Sequence, residues 1–224
     1  MWFYLIGGIS YVASLLIRSW LNSTYRKWGA VANSRHLTGA ETSRAILHAN
    51  HLDRIDAQAV RGRLTDHYDP RAKAVRLSEK NYSETSVAAL AIAAHETGHA
   101  LQDAEGYGFM KLRSALVPVA TFSAQVGPYA FMYGLMGGSA LILQVGALLF
   151  AGAVLFHLVT LPVEFNASHR ALRQIEALGL VSEVEYAGAK RVLTAAGMTY
   201  VASAATSFAY LLYMLAWGRR GRRR

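Results

Sequence analysis

The stretch SALVPVATFSAQVGPYAFMYGLMGGSALILQVGALLFAGAVLFHLVTLPV, residues 114–163, contains no Asp, Glu, Lys or Arg over 50 residues. One α-helix needs only about 20 apolar residues to cross a bilayer, so the stretch has the length of two spans. Met136 to Ser139 lie near its middle and have the composition of a turn. The sequence therefore predicts a two-span transmembrane hairpin. Pro118 and Pro128 can kink its first arm, as membrane helices tolerate.

Two further uncharged stretches lie near the ends of the chain. Met1 to Ile17 is closed by Arg18, with no basic residue ahead of it and no small-residue cleavage site after it, so it predicts an anchor rather than a removed signal peptide. Val192 to Trp217 is rich in Ala, Ser, Thr and Tyr, which favours packing against other helices over facing lipid. Core helices of soluble proteins seldom contain so many consecutive apolar residues. We therefore expect about four transmembrane helices.

Composition excludes several classes of chemistry. The 224 residues include no cysteine, so disulfides, thiolate metal ligands and cysteine nucleophiles are excluded, and any metal must be held by His, Asp or Glu. The formal net charge is +9, which is compatible with nucleic acid or anionic lipid as a partner. The apolar stretches favour the lipid bilayer, and no nucleic-acid partner is expected. The arginines of the tail GRRGRRR beside the last span are typical of a lipid anchor.

These features predict a mainly α membrane protein that carries a small α+β module. The predicted segments are a transmembrane anchor at 1–18, a mixed α/β module at 19–113, the hairpin at 114–163, a helical segment at 164–191, a transmembrane helix at 192–217 and the basic tail at 218–224.

Local patterns predict the elements of the mixed module. TGAETSRAILHANHL, residues 38–52, predicts a helix capped by Thr38. RIDAQAVRG predicts a short strand, and LTDHYDPRAKAVRLS predicts a turn and a second strand that ends in AVRLS. We expect the edge of that second strand to be able to bind an extended peptide. A further helix is predicted from about Glu84 to Ala104.

That last helix contains AAHETGHALQ, residues 93–102, with His95, Glu96 and His99 in the pattern H-E-x-x-H. Residues four apart lie on one face of a helix, so both imidazoles point to one place, with Glu96 beside them. A catalytic zinc needs such ligands, an open position for water and a carboxylate to take the proton of that water. The alternative is an exposed helix with two unrelated histidines, but the long helical context SVAALAIAAHETGHALQ argues against it.

A zinc site of this type needs a third protein ligand. The metzincin pattern fails, because Gln102 and Glu105 occupy the positions where it requires Gly and His. Asp103 lies one turn beyond His99 and is therefore a candidate for the third ligand. The simpler interpretation is that it is an ordinary polar residue near the end of a helix. The remaining downstream acids have the pattern of solvated helix faces: Glu176, Glu183 and Glu185.

Glu164 is the first charged residue after the 50 uncharged ones. A carboxylate at a membrane boundary, at the head of a new helix, is costly unless it has a partner. A two-span hairpin returns the chain to the membrane face that it left, so Glu164 is expected on the same side as His95 and His99. We therefore predict Glu164 as the third ligand. The alternative is a simple interfacial anchor, a role for which acids are poorly suited beside basic residues.

Other side chains are candidates for supporting functions. Ser168 lies four residues after Glu164 on the same helix face and is expected to hydrogen-bond a metal-binding imidazole. Peptide hydrolysis also needs a donor to the developing oxyanion. Spacing does not choose among four candidates for that role: His67, Tyr68, His169 and Arg170.

LTDHYDPRAKAVRLSEKNYSETSVAALAIAAHETGHALQD and LPVEFNASHRAL resemble the YugP-type neutral zinc metallopeptidases of bacterial membranes, and the resemblance extends from about Thr38 into the last span. It implies a zincin-like, zinc-dependent membrane protease of gluzincin type with one Zn²⁺ per chain. It assigns His95 and His99 to the metal, Glu96 as base and Glu164 as third ligand. The site is also similar to that of the HtpX-like proteases, which have an acid where this chain has Ser168.

The expected function is hydrolysis of peptide bonds in membrane or membrane-proximal proteins. The alternative is a non-catalytic zinc-bearing scaffold or regulatory protein. A transporter or channel has little support, because the four predicted spans contain no acidic or basic residue except His157. We expect a multi-pass protein of the bacterial cytoplasmic membrane with its active site at the interface. Ten basic residues near membrane ends on the active-site side, against five in the tail, favour the cytoplasmic face. A regulatory partner or a homo-oligomer is compatible with the sequence.

Overall fold

The computed structural model describes residues 2–137 and 139–221, so Gly138 of the predicted turn and Arg222 to Arg224 of the predicted tail lie outside the described residues. The described chain is mainly helical with one small sheet. Its elements are α1 (Trp2–Gly29), α2 (Gly39–Ala49), β1 (Asp56–Val60), β2 (His67–Asp69), β3 (Ala74–Ser78), α3 (Glu79–Ser83), α4 (Val87–Ala104), α5 (Gly108–Gly137), α6 (Ala140–Ala177) and α7 (Glu183–Gly221).

The chain divides into two compact units. We call the first the helical unit; it comprises Met1–Ile17, Gly108–Pro162 and Thr199–Arg224. The second, the mixed unit, comprises Arg18–Tyr107 and Val163–Met198 and contains the sheet. Helices α1, α6 and α7 each contribute residues to both units.

The helical unit contains the predicted helical hairpin as α5 followed by α6. Phe131 of α5, Leu143 and Ala147 of α6 and Met214 of α7 form a buried apolar cluster. The two hairpin helices approach closely at Gly146, where an added Cβ would collide with the backbone of Phe131. Small residues allow such approach between membrane helices, where a larger side chain would separate the backbones.

Three of the described helical segments are long and apolar enough to cross a membrane: Tyr4–Gly29, Leu141–Ala177 and Glu183–Ala216. Helix α5 is not among these three. The first segment is also longer than the predicted anchor, because α1 continues without interruption past Arg18 to Gly29.

The expectation that Glu164 lies at the head of a new helix is wrong. Helix α6 is continuous from Ala140 to Ala177, and Glu164 lies well inside it. Pro162 removes one backbone hydrogen bond, which a long helix tolerates, and no other helix-breaking residue separates the apolar part from the polar part. Helix α7 likewise passes through the predicted boundary at residue 192.

The sheet of the mixed unit has the strand order β1-β3-β2. β1 runs parallel to β3, and β2 pairs with β3 in antiparallel fashion. The predicted strands are thus present, but the expectation that AVRLS offers a free edge is wrong. The turn through Lys73 folds β2 back onto β3, and β1 pairs with the other side, so β3 is the central strand and the edges belong to β1 and β2.

Helix α4 forms the centre of the mixed unit. Its N-cap is Ser86, whose hydroxyl accepts a hydrogen bond from the backbone of Ala89, and the helix ends at Ala104 as predicted. Leu90 and Ala94 of α4 are fully buried in an apolar core to which α1, α2, α6 and α7 contribute. Helix α2 has the predicted Thr38 cap. A run of alanines in α4 allows these neighbours to pack close to its backbone.

Candidate metal centre

The mixed unit brings three predicted ligands together. α4 presents His95 and His99 on one face, with ring centroids 4.8 Å apart, and α6 supplies Glu164. Oε2 of Glu164 lies 3.3 Å from Nε2 of His95 and 3.7 Å from Nε2 of His99. One potential ligand atom from each residue lies within 4.8 Å of the other two, so the three side chains surround a common point.

The chemistry and spacing of this cluster fit zinc. Zinc bonds of about 2.0–2.2 Å in a tetrahedral site place neighbouring ligand atoms roughly 3.3–3.6 Å apart. The Glu164–imidazole distances of 3.3 and 3.7 Å are close to that spacing and longer than a charge-assisted hydrogen bond, which measures about 2.7–2.9 Å. The side chain of Glu164 is only 3% exposed, and a carboxylate so buried requires a compensating positive charge.

Close approach of the two helices positions the cluster. A Cβ atom added to Gly98 would lie 2.6 Å from the backbone oxygen of Ala167. Glycine at this position therefore allows the backbones of α4 and α6 to meet between the two histidines and beside Glu164. Ala167 is itself fully buried.

The second nitrogen of each imidazole also has a partner. Nδ1 of His95 lies 3.1 Å from the hydroxyl of Ser168, the residue expected to contact an imidazole. Nδ1 of His99 lies 2.9 Å from Oε1 of Gln102, a contact that the sequence reasoning missed. Gln102 is three residues after His99 and therefore on the same helix face, which is the signal that could have identified it. In both rings Nε2 is the nitrogen that faces Glu164.

Glu96 lies beside the cluster and is mostly buried, with 9% of its surface exposed. Its carboxylate makes no hydrogen bond to any residue in the described part of the chain, which leaves both oxygens able to accept a proton. Burial by itself would lower the pKa of His99, but the neighbouring carboxylates of Glu164 and Glu96 outweigh burial and raise that pKa.

Asp103, the other possible third ligand, is engaged elsewhere. Its carboxylate accepts a hydrogen bond from the hydroxyl of Tyr68 at 2.8 Å and forms an ion pair with Lys73. Burial and the neighbouring Asp103 raise the pKa of Tyr68, so Tyr68 keeps its proton. His67 is exposed, and its Nδ1 lies 2.7 Å from the backbone oxygen of Thr65. Among the described residues, none of these side chains belongs to the three-residue cluster.

The remaining candidates lie on another face of α6. His169 and Arg170 line a cavity of about 390 Å³, and both carboxylate oxygens of Glu105 pair with Arg170. The interpretation of Glu185 as a solvated residue is wrong. It is buried because α7 begins against the segment after α1, where its carboxylate accepts hydrogen bonds from Ser34 and from the backbone of Ser182.

Comparison with known proteins agrees with these features. Residues 3–219 match the family described as "Putative neutral zinc metallopeptidase". The chain is 44% identical over 205 residues to the protein named "Putative membrane protease YugP" from Bacillus subtilis (strain 168), covering 92% of this chain and 89% of that protein. No solved structure matches the chain. Because the family match covers nearly the whole chain, the chain belongs to the "Putative neutral zinc metallopeptidase" family.

Proposed function

We propose that this chain is a zinc-dependent, membrane-embedded metalloendopeptidase that hydrolyses peptide bonds of membrane or membrane-proximal proteins. The observation that carries the proposal is the meeting of two imidazole nitrogens and one buried carboxylate oxygen next to the carboxylate of Glu96. Family membership supports the same reaction class.

In this proposal His95, His99 and Glu164 hold one Zn²⁺ per chain. Three protein ligands leave a fourth position open, as in catalytic rather than structural zinc sites. When bound, zinc supplies Lewis-acid activation of a water molecule and of the scissile carbonyl. Ser168 supports the ring of His95 from the opposite nitrogen.

Glu96 acts as the general base in this mechanism. Its carboxylate accepts a proton from the attacking water, whose oxygen bonds to the carbonyl carbon of the substrate. The C–N bond then breaks, and Glu96 passes the proton to the leaving amine. The developing oxyanion needs a hydrogen-bond donor. Of the four sequence candidates, His67 and Tyr68 remain in the proposal, because His169 and Arg170 lie on another face of α6, where Arg170 pairs with Glu105.

The proposal places the chain in the bacterial cytoplasmic membrane as a multi-pass protein with the lipid bilayer as a partner. The three long apolar helices support this placement in the membrane. In the proposal, the uncharged residues 114–137 of α5 form a fourth span. The segments keep their predicted roles: the anchor at 1–18, the zincin-like module at 19–113, the hairpin at 114–163, the Glu164 segment at 164–191, the last span at 192–217 and the tail at 218–224. The positive-inside rule favours a cytoplasmic active site.

Chelator-dependent peptide turnover tests the proposed function. The purified full chain in detergent micelles is expected to cleave a quenched fluorescent peptide, to lose that activity with a chelator and to regain it when Zn²⁺ is added back. A wild-type protein that binds zinc but cleaves neither model peptides nor casein would contradict the proposal and favour a non-catalytic zinc-bearing scaffold.

A further inference from the structure

The tautomer of His99 decides whether it can bind a metal through the nitrogen that faces Glu164. A neutral imidazole binds a metal only through its unprotonated nitrogen. An amide oxygen only accepts hydrogen bonds, so the 2.9 Å contact between Oε1 of Gln102 and Nδ1 of His99 requires the proton on Nδ1. Nε2 is then left unprotonated. The contact fixes this state only if the amide of Gln102 cannot rotate by half a turn.

Two acceptors prevent that rotation. Nε2 of Gln102 donates to the backbone oxygen of Val163 at 2.8 Å and to Oδ1 of Asn166 at 2.9 Å. The carbonyl of Val163 can never donate, so a rotated amide would place two oxygens against each other. Gln102 is fully buried, and an unpaired amide there would have no water to compensate it.

The amide of Asn166 could rotate as well, but Arg170 holds it. Nε of Arg170 donates to Oδ1 of Asn166 at 2.7 Å, and a guanidinium has no acceptor. The two carboxylate oxygens of Glu105 bind the other nitrogens of the same guanidinium. The direction of every hydrogen bond from Arg170 to His99 is therefore fixed, because the guanidinium of Arg170 can only donate and the carbonyl of Val163 can only accept.

We propose that Arg170, Asn166 and Gln102, anchored by Glu105, form a hydrogen-bond chain of fixed direction that holds His99 in its Nδ1–H tautomer. These are positioning residues, because only Gln102 contacts the imidazole and none is a predicted ligand. The chain begins at the half-exposed carboxylate of Glu105 and ends at a nearly buried imidazole. The inference rests on the metal centre of the proposed function and does not depend on peptide hydrolysis.

His95 provides an internal comparison. Its Nδ1 lies 3.1 Å from the hydroxyl of Ser168, and a hydroxyl can donate or accept with equal ease. Ser168 therefore supports the ring of His95 without dictating its tautomer. The two histidines of one H-E-x-x-H motif are held differently, and only His99 depends on the chain through Gln102.

Three substitutions separate the direction of the chain from simple packing. Gln102→Met keeps a similar length but offers only a weakly accepting thioether to His99. Asn166→Asp keeps an acceptor for Arg170 and Gln102, whereas Asn166→Leu removes it. Both Asn166 variants leave Gln102 and His99 themselves unchanged, so an effect on His99 must pass through Gln102.

The measurement is the NMR of ring nitrogens in the ¹⁵N-histidine-labelled, metal-free full chain, in micelles at an alkaline pH where both imidazoles are neutral. Wild type and Asn166→Asp are expected to show His99 protonated on Nδ1. Gln102→Met is expected to move the proton to Nε2, which can donate to Glu164, and Asn166→Leu to give a mixture. His95 should be alike in all four proteins. Zinc affinity from chelator competition should fall about 10- to 100-fold in Gln102→Met and stay near wild type in Asn166→Asp.

Two results would overturn the inference: a wild-type His99 protonated on Nε2, or the same His99 tautomer in wild type and Gln102→Met. If Gln102→Met does not fold, equal spectra for the two Asn166 variants overturn it instead. Neither readout uses peptide hydrolysis. A wild type that shows the expected tautomer and zinc affinity but no turnover would therefore count against the proposed function and not against this inference.

Discussion

Glu164 is almost completely buried, with its Oε2 between the Nε2 atoms of His95 and His99. Those two nitrogens come from one face of α4, where helical spacing determines their proximity, whereas the carboxylate arrives from α6, 65 residues beyond His99 along the chain. The proposed third ligand thus depends on long-range folding, and the two histidines depend on local structure. A substitution of Glu164 is the sharpest test at the scale of single residues.

Glu164→Ala is expected to weaken zinc binding by more than the 10- to 100-fold that is typical when a group behind a ligand is lost. The remaining imidazoles supply two ligands where a catalytic site needs three. Zinc content after dialysis, measured by elemental analysis, checks this. The matched control is Glu176→Ala, an exposed acid on the same helix, which should retain full zinc. Unchanged zinc in Glu164→Ala would exclude Glu164 as a ligand and make Asp103 the next residue to test.

The spacing of His95, Glu96 and His99 was sufficient to predict their proximity, and the uncharged hairpin was sufficient to suggest Glu164. Gln102 was not predicted, because helical spacing places it near His99 but does not show that an amide there has two fixed acceptors. Those acceptors belong to Val163 and Asn166, on another helix, and only the folded chain brings them to Gln102.

At the scale of elements, the metal centre depends on how closely α4 and α6 approach. Local sequence patterns predicted α2, β1, β3 and α4 of the mixed unit, including the end of α4 at Ala104, but not β2 or α3. The bounds of α6 and α7 were not predicted, because a change from apolar to polar residues does not by itself interrupt a helix. The strand order was also missed, since strand pairing depends on contacts between distant segments.

Gly98→Ala is expected to weaken both folding and zinc binding, because the new methyl group would lie 2.6 Å from the backbone oxygen of Ala167. Overpacking of this kind costs about 1–3 kcal/mol of stability. Thermal unfolding in micelles and chelator competition measure the two effects. Gly108→Ala is the control, since nothing lies within 4 Å of an added Cβ there. Wild-type zinc affinity in Gly98→Ala would show that the helix approach does not position the ligands.

At the scale of the whole molecule, the proposed topology places the mixed unit on the cytoplasmic side. Four spans with the anchor first would return the chain to one side after the hairpin and leave the basic tail on the other. The 224 residues contain no cysteine, so single cysteines can be introduced for labelling without removing any native thiol.

Ala72→Cys, at an exposed position between β2 and β3, is expected to react with a membrane-impermeant maleimide only after the membrane is opened. A cysteine appended to the tail should react in intact spheroplasts. The positive-inside rule is the physical reason, because more basic residues near membrane ends belong to the mixed unit than to the tail. Labelling of Ala72→Cys in intact spheroplasts would place the mixed unit outside.

The central claim is that Glu96 performs chemistry at a zinc centre that it does not help to hold. Zinc content and peptide turnover of Glu96→Gln, measured on the same preparation beside wild type, test this most directly. The proposal predicts one equivalent of zinc in both proteins and a turnover at least about 100-fold lower in Glu96→Gln, since an amide cannot accept the proton. A Glu96→Gln protein that retains zinc and cleaves peptide at the wild-type rate would contradict it.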